Sequence, residues 1–435
     1  MSTKDALISG ELCEMIRVRS SSASSRQALP SRASMSNKPP YPEFDRSRIR
    51  FKPVGVRKNK FQIDEIAVDP DAPPPDPGRN ARLIDLVADK VRASRDRGAP
   101  VAICHGAHLI KNGLAPVLIR LVEEDWITHV ATNGAGSIHD WEFALMGESC
   151  EDVRENVAIG EFGIWDETGS YLGLAAHVGN LDGYGTGESV GKMISEDGLE
   201  IPTRSALVEA IKPALADGAK IAGREGAAME LLELLDRCNV PSGRIDISHG
   251  WKHRSVQYAC YEKGVPLTVH PGIGQDIIYS HPHFAGGGVG RSAMADFLKY
   301  AHTVENIEGG VLLSVGSSVM SPMIFEKSLS MGRNVHLQKN GKIDDFFILV
   351  NDLAASDWDW SKGEPPEDNP AYYVRFMKSF SRMGGDSRYL GMDNRDFLTN
   401  LYHRLRACRT PAISSISTAR SSTLCSTYTR LSITL

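Results

Sequence analysis

Two stretches of the chain concentrate side chains able to do chemistry. The first holds His270, Asp276, His281 and His283 within fourteen positions. His281 and His283 form an HxH pair, and on a strand both rings would share one face. Imidazole with carboxylate suits zinc, iron or manganese. The alternative is a loop around Pro282 in which the rings only make hydrogen bonds. The second stretch is DWDWSKGEPPEDNPAYYVRFMKSF, with Trp358, Trp360, Tyr372, Tyr373 and Phe376 among Asp357, Asp359, Glu364, Glu367 and Asp368. Acids beside aromatic rings suit a cationic ligand, through charge pairing and cation–π contact. Packing of those rings onto the core is the competing reading. Cys104 directly precedes His105 at the end of an apolar run, and neighbours on a strand point apart, so Cys104 reads as a small core residue.

Several known motifs are excluded. GTGESVGKM at 185–193 lacks the glycine at Thr186 and the hydroxyl at Met193 that a Walker loop needs. GGGVGRS at 286–292 carries Arg291 where GxGxxG has its last glycine. No GxSxG nucleophile elbow occurs.

The elements that must position these residues repeat one pattern. PVAIC runs into HGAHLIKNG, ITHVAT into NGAGSIHD, VPLTV into HPGIGQD, GGVLLSV into GSSVMSP, and FFILV into NDLAASD. Short apolar runs bounded by turn residues suit strands buried on both faces. Alternation with amphipathic stretches predicts a doubly wound, mostly parallel α/β sheet with Rossmann-like architecture. All five loops follow strands, so they share the carboxyl edge, where such sheets bind ligands. Glycine lets backbone approach a ligand, and helix N-termini offer N–H groups to phosphate. The loops therefore supply a candidate dinucleotide site: Gly106 and His108, then Asn133, Gly134, Ala135 and Gly136, then Gly316, Ser317 and Ser318, and Asp352. The competing reading is that these residues simply make tight turns.

The chain has 435 residues, 41% hydrophobic and 24% charged, with formal net charge −5. That suits a large globular domain and argues against a general nucleic-acid or anionic-membrane binder. Its seven cysteines are scattered without a CxxC pair, which favours a reducing, cytoplasmic setting. Residues 1–40 are rich in Ser, Arg and Pro and read as a disordered leader, with Met35 an internal candidate start. A single large domain is expected over 41–406, and 407–435 reads as a disordered or artefactual tail. DPDAPPPDPG at 69–78 reads as an extended connector before the helix ARLIDLVADKVRASRDRG.

Taken in order over roughly 80–380, these segments resemble the deoxyhypusine synthase family. The resemblance rests on GAHLIKNGLAPVLIRLVEEDWITHVATNGAGSIHD, GVPLTVHPGIGQDII, GGVLLSVGSSVMSP and the strand, acidic loop and aromatic end of FFILVNDLAASDWDWSKGEPPEDNPAYYVRFMKS. It implies NAD-dependent transfer of an aminobutyl group from spermidine to a protein lysine or another amine, by a homotetramer. It implies Lys378 as the lysine that forms the imine, with Phe376 where the family has Trp. It implies Asp276 and either Asp357 or Asp359 as polyamine-binding acids, and the loops at Gly134–Gly136 and Gly316–Ser318 as cofactor contacts. His139 stands in the place of an expected glutamate, and Ser321, Pro322 and Met323 where the family has Lys-His-His. Those departures imply a divergent branch with a changed substrate. Two alternatives stand beside it: a non-catalytic nucleotide-binding protein on the same fold, and a metal-assisted hydrolase built on His270, Asp276, His281 and His283.

Overall fold

Six strands form one parallel sheet: β1 (Val101–His105), β2 (His129–Asn133), β3 (Leu267–His270), β4 (Val311–Val315), β5 (Phe347–Asp352) and β6 (Asp386–Gly391). The structure is a computed structural model that describes residues 41–216, 223–354 and 356–407. In space the strands run β3-β2-β1-β4-β5-β6. The chain thus builds outward from β1 in one direction, returns, and builds outward from β4 in the other. That order defines a doubly wound, Rossmann-like α/β fold.

Helices cover both faces. α1 (Ala81–Asp96) precedes β1 and α2 (Ala115–Glu123) joins β1 to β2. The crossover from β2 to β3 holds α3 (Gly134–Met146), α4 (Asp166–Gly179), α5 (Thr186–Ser195), α6 (Arg204–Ile211), α7 (Gly223–Cys238) and α8 (Val256–Lys263). α9 (Gly286–Glu305) joins β3 to β4, α10 (Met320–Leu337) joins β4 to β5, α11 (Arg375–Ser381) joins β5 to β6, and α12 (Asn394–Ala407) follows β6.

Side-chain alternation divides the sheet. Val101, Ile103, Val130, Leu267, Val269, Val311, Leu313, Val315, Phe347 and Leu349 pack with α1, α2, α8 and α12 in one core. Ala102, Cys104, Ala131, Leu312, Ile348 and Val350 face the other way, against Tyr300 and Val304 of α9, Phe325 and Leu329 of α10, and Met377 and Phe380 of α11. A third core, with Ile138, Trp141, Leu172, Val190, Leu231 and Leu234, lies within the long crossover. That crossover also carries an antiparallel ribbon, Gly198–Ile201 with Gly243–Asp246. β6 was not evident as an apolar run because DSRYLG is an edge strand, exposed on one side.

The proline-rich stretch has no regular structure over most of its length, but it is tied down. Asp71 pairs with Arg120 and Arg406, and the Pro75 carbonyl accepts from Asn400 Nδ2 at 2.9 Å. Residues Tyr41–Asp45 fall in a separate unit and show no regular structure; the sheet and its helices belong to the unit that starts at Arg46. The expectations about the leader at 1–40 and the tail beyond Ala407 lie outside the described residues. No helix among the described residues is long and apolar enough to cross a membrane.

Candidate functional site

The exits of β1, β2, β3 and β4 open into one cavity of about 470 Å³. Gly106, Ala107 and His108 contribute from the β1 exit, Asn133 from β2, and His270, Pro271, Gly272, Gln275 and Asp276 from β3. Gly316, Ser317, Ser318 and Val319 follow β4, and Met320, Met323 and Ile324 open α10. Its volume falls within the range of small-molecule sites. It lies across β1 and β4, where the strand order reverses.

Two glycines set the floor. A Cβ on Gly106 would collide with the Gly316 carbonyl oxygen, so the β1 and β4 exits touch backbone to backbone. Gly316 has φ +57°, a left-handed conformation that favours glycine. After it, Ser317 Oγ accepts from the Ser321 N–H at 3.3 Å. The N–H groups of Ser317, Ser318 and Val319 have no protein partner among the described residues. They and the first residue of α10, Met320, line the cavity, where unpaired N–H groups can meet an anion.

The β2 exit is already capped. Asn133 Oδ1 accepts from the Gly136 N–H at 2.8 Å. The Asp276 carboxylate lies against Gly134, where a Cβ would displace it, and accepts from the Gly272 N–H at 2.9 Å. The Ala135 N–H also bonds it, yet burial outweighs both donors and raises its pKa above the usual carboxylate value. Behind Gly134 a void of about 20 Å³ has room for a water and no more.

His270 stands beside Asp276 on the same wall. Burial lowers its pKa to about 4, so the ring is neutral near pH 7. Its Nε2 is 3.1 Å from the Thr268 hydroxyl, which leaves Nδ1 as the nitrogen free to meet a ligand. Among the described residues no lysine or arginine lines the cavity, and Asp276 is its only acid.

Of the residues singled out from the sequence, Gly106, His108, Asn133, His270, Asp276, Gly316, Ser317, Ser318 and Met323 line this cavity. Gly134, Ala135 and Gly136 lie just behind it, spent on the start of α3. Asp352 closes its own turn, accepting from the Leu353 and Ala354 N–H groups at 2.8 and 3.1 Å. Asp359 caps the turn at Ser361, and Asp357 is exposed. Phe376 packs near Tyr389, with ring centroids 6.3 Å apart.

Lys378 is not among the cavity residues. Its ammonium is 2.7 Å from Glu364 and 3.2 Å from the centroid of the Tyr372 ring. Glu364 also accepts two bonds from Arg382, and those hydrogen bonds with the one from Lys378 pull its pKa down to about 2. His139 points into a different cluster. Ser149 donates to Glu142 and accepts from His139 Nδ1 at 2.7 Å. Burial opposes ionisation of Glu142, yet its buried ion pair with Arg57, with one hydrogen bond from Nη1, holds its carboxyl low. Cys150, with φ +75°, closes that cluster 3.6 Å from His139.

The histidine–acid group is dispersed. His281 Nε2 is 3.1 Å from Asp166, and its Nδ1 accepts from the His283 N–H. The His281 ring presses against Gly169 and the His283 backbone and Cβ against Gly173, both on α4, and neither histidine lines the cavity. No group of three or more His, Cys, Asp or Glu side chains among the described residues is placed to hold a metal ion.

The fold and the crevice thus define a Rossmann-like α/β chain with a built cavity at its switch point. No family model matches the chain, and no curated protein matches it. Solved structures do. ArgZ, an arginine dihydrolase from the ornithine-ammonia cycle in cyanobacteria, is 14% identical with TM-score 0.38, over 76% of this chain and 33% of its own. AgrE, solved as a ternary complex with ornithine and NAD+, is 16% identical with TM-score 0.38, over 77% of this chain and 34% of its own. A conserved putative LOR/SDH protein from Methanococcus maripaludis S2 is 13% identical with TM-score 0.36, over 79% of this chain and 73% of its own. The chain therefore spans about a third of the length of ArgZ and of AgrE. At these identities and TM-scores the likeness adds nothing to the fold that the sheet order already shows.

These findings correct the aminobutyl-transfer expectation. The solved structures named above include an arginine dihydrolase and a LOR/SDH protein. Within the chain, the expected lysine and aromatic-loop acids do not meet the cavity that holds Asp276. The coarser part of the resemblance, a Rossmann-like chain, is what remains.

Proposed function

We propose that this chain is an enzyme that binds NAD in the cavity between the β1 and β4 exits and oxidises a small alcohol or amine there. One observation carries the reading: a sheet of order β3-β2-β1-β4-β5-β6 with a cavity of about 470 Å³ at its point of reversal. Open α/β sheets bind dinucleotides at that point. The Ser317, Ser318 and Val319 N–H groups suit a pyrophosphate, and the contact of Gly106 with Gly316 suits its close approach to backbone. The absence of lysine and arginine from the lining favours NAD over a dinucleotide with a 2′-phosphate, which needs a cationic partner. The same absence disfavours strongly anionic substrates. NAD supplies a hydride acceptor when bound. Asp276 is placed to orient a hydroxyl or ammonium group, and the free Nδ1 of the neutral His270 is placed to accept the proton the substrate gives up.

Calorimetry on the full chain tests this. NAD+ should bind with Kd of about 1 mM or tighter and NADP+ should bind more weakly. Ser318→Asp, which puts a carboxylate at the pyrophosphate position, should weaken NAD+ at least about tenfold. No heat with either dinucleotide, or equal affinity in the Ser318 variant, removes the proposal.

A further inference from the structure

One face of the sheet carries polar side chains that no packing argument requires. His129 and Thr268 are both fully buried, on β2 and β3. In the parallel register Ala131 pairs with Thr268 and Asn133 with His270, so His129, Ala131, Thr268 and His270 all face α9. Four groups then join in line. His129 Nδ1 is 2.7 Å from Thr303 Oγ1 on α9, and His129 Nε2 is 3.0 Å from Thr268 Oγ1. Thr268 Oγ1 is 3.1 Å from His270 Nε2. The Tyr300 ring stands edge-on to both imidazoles, with centroids 5.5 and 5.3 Å away, and its hydroxyl meets Cys104 Sγ at 3.3 Å.

The direction of the line follows from its outer end. The Thr303 hydroxyl donates to the Lys299 carbonyl, so it accepts from His129 Nδ1–H. His129 Nε2 is then bare and accepts from Thr268. Thr268, having donated, accepts from His270 Nε2–H. His270 is left with a bare Nδ1 in the cavity, the form that can take a proton.

We infer that Thr268, His129 and Thr303 form a proton wire that carries charge between His270 in the cavity and the half-exposed surface of α9. The substrate chemistry rests on the oxidoreductase reading above, but the wire does not. In the forward sense the O–H or N–H bond of the substrate breaks. A bound dinucleotide would supply the acceptor for the hydride of the adjacent carbon, the freed electron pair would close the carbonyl or imine, and the proton would pass to His270 Nδ1. His270 Nε2–H passes to Thr268, the Thr268 proton to His129 Nε2, the His129 Nδ1 proton to Thr303, and the half-exposed Thr303 hydroxyl, releasing the Lys299 carbonyl, gives its own proton to solvent. One proton enters and one leaves; every group ends neutral with its tautomer reversed. Packed rings cannot turn over to reset, so the wire is restored only by a proton travelling back. That suits a reversible hydride transfer, which releases one proton in one direction and takes one up in the other. The charged and titratable neighbours do not interfere: Cys104 and Tyr300 are both held neutral by burial. His270 lowers the pKa of His129, so the two rings do not carry charge together.

The test uses the full chain without any dinucleotide, labelled with ¹⁵N at histidine. Two-bond ¹H–¹⁵N correlations should assign His129 as Nδ1–H and His270 as Nε2–H. Thr303→Val removes the acceptor of His129 Nδ1–H and favours its Nε2–H form. Thr268 must then donate to His270 instead, so the His270 tautomer ratio should change at least about fivefold across three hydrogen bonds. Thr303→Ser should restore it, and backbone amide spectra report that the fold is kept. Both rings found as Nε2–H in the parent chain, with Thr268 accepting twice, would overturn the wire. So would a His270 tautomer ratio that Thr303→Val leaves unmoved. Either outcome is independent of whether NAD binds, which calorimetry decides separately.

Discussion

The two faces of the same sheet are built to different rules. Toward α1, α2, α8 and α12 the central strands show Val101, Ile103, Val130, Val269, Val311, Leu313 and Val315, all large and apolar. Toward α9 and α10 the same strands show, beside Leu312, mostly small or polar groups: Ala102, Cys104, His129, Ala131, Thr268, His270 and Ser314. The first face stabilises through area removed from water. The second lets α9 lie close and carries hydrogen-bonded groups out to the cavity. Function is thus written across half of the core, and the other half holds it in place.

The largest expected effect breaks the apolar face. Leu313 is fully buried, and Leu313→Ala should lower the unfolding free energy by about 2–5 kcal/mol in urea titrations. An equal loss from Ser314→Ala, its neighbour on the opposite face, would erase the distinction between the faces. A smaller effect probes how closely α9 sits. Ala131→Leu adds bulk between the sheet and α9 and should cost about 1–3 kcal/mol through overpacking. A neutral or stabilising result would mean that the polar face has slack.

Much of this division was legible in the sequence, and part was not. Runs such as VAIC and VLLSV in short strands, each ending in Gly, Ser or Asn, gave the parallel sheet and its ligand edge because those signals are local. Four of the five loops read that way meet in the cavity; the fifth, at Asp352, turns back on itself. His129 was passed over because ITHVAT reads as a strand with one polar flaw, and only the partner strand shows that Thr268 receives it. Lys378 took its catalytic reading from the family resemblance, but its fate depends on Glu364, fourteen residues back and brought to it only by the fold. His139 illustrates the same limit. The carboxylate sought at its position is supplied one turn later by Glu142, which spends it on Arg57. Spacing shows which residue types are present; partners across the sheet decide what they do.

The third prediction sharpens the comparison through pH. Burial, with a smaller contribution from His270, lowers the pKa of His129 to about 3, and burial alone lowers that of His270 to about 4. In the unfolded chain both titrate near about 6.5. Depressed values mean that the native state keeps these rings neutral while the unfolded chain takes up protons. Their contribution is therefore fully present above about pH 6.5 and is lost as the pH falls toward the native values. Stability measured by urea unfolding should decline on acidification through that window, by at most about 1.4 kcal/mol per pH unit for each ring. His105, at the exit end of the apolar face, adds a further proton of the same sign, with a pKa lowered by burial to about 4. His129→Leu should remove one ring's share of the slope, whatever it does to stability at pH 7, since that offset includes the partners left on Thr268 and Thr303. An unchanged slope would mean that the His129 site admits water and charge, and the small-residue face would then be no drier than the surface it opens onto.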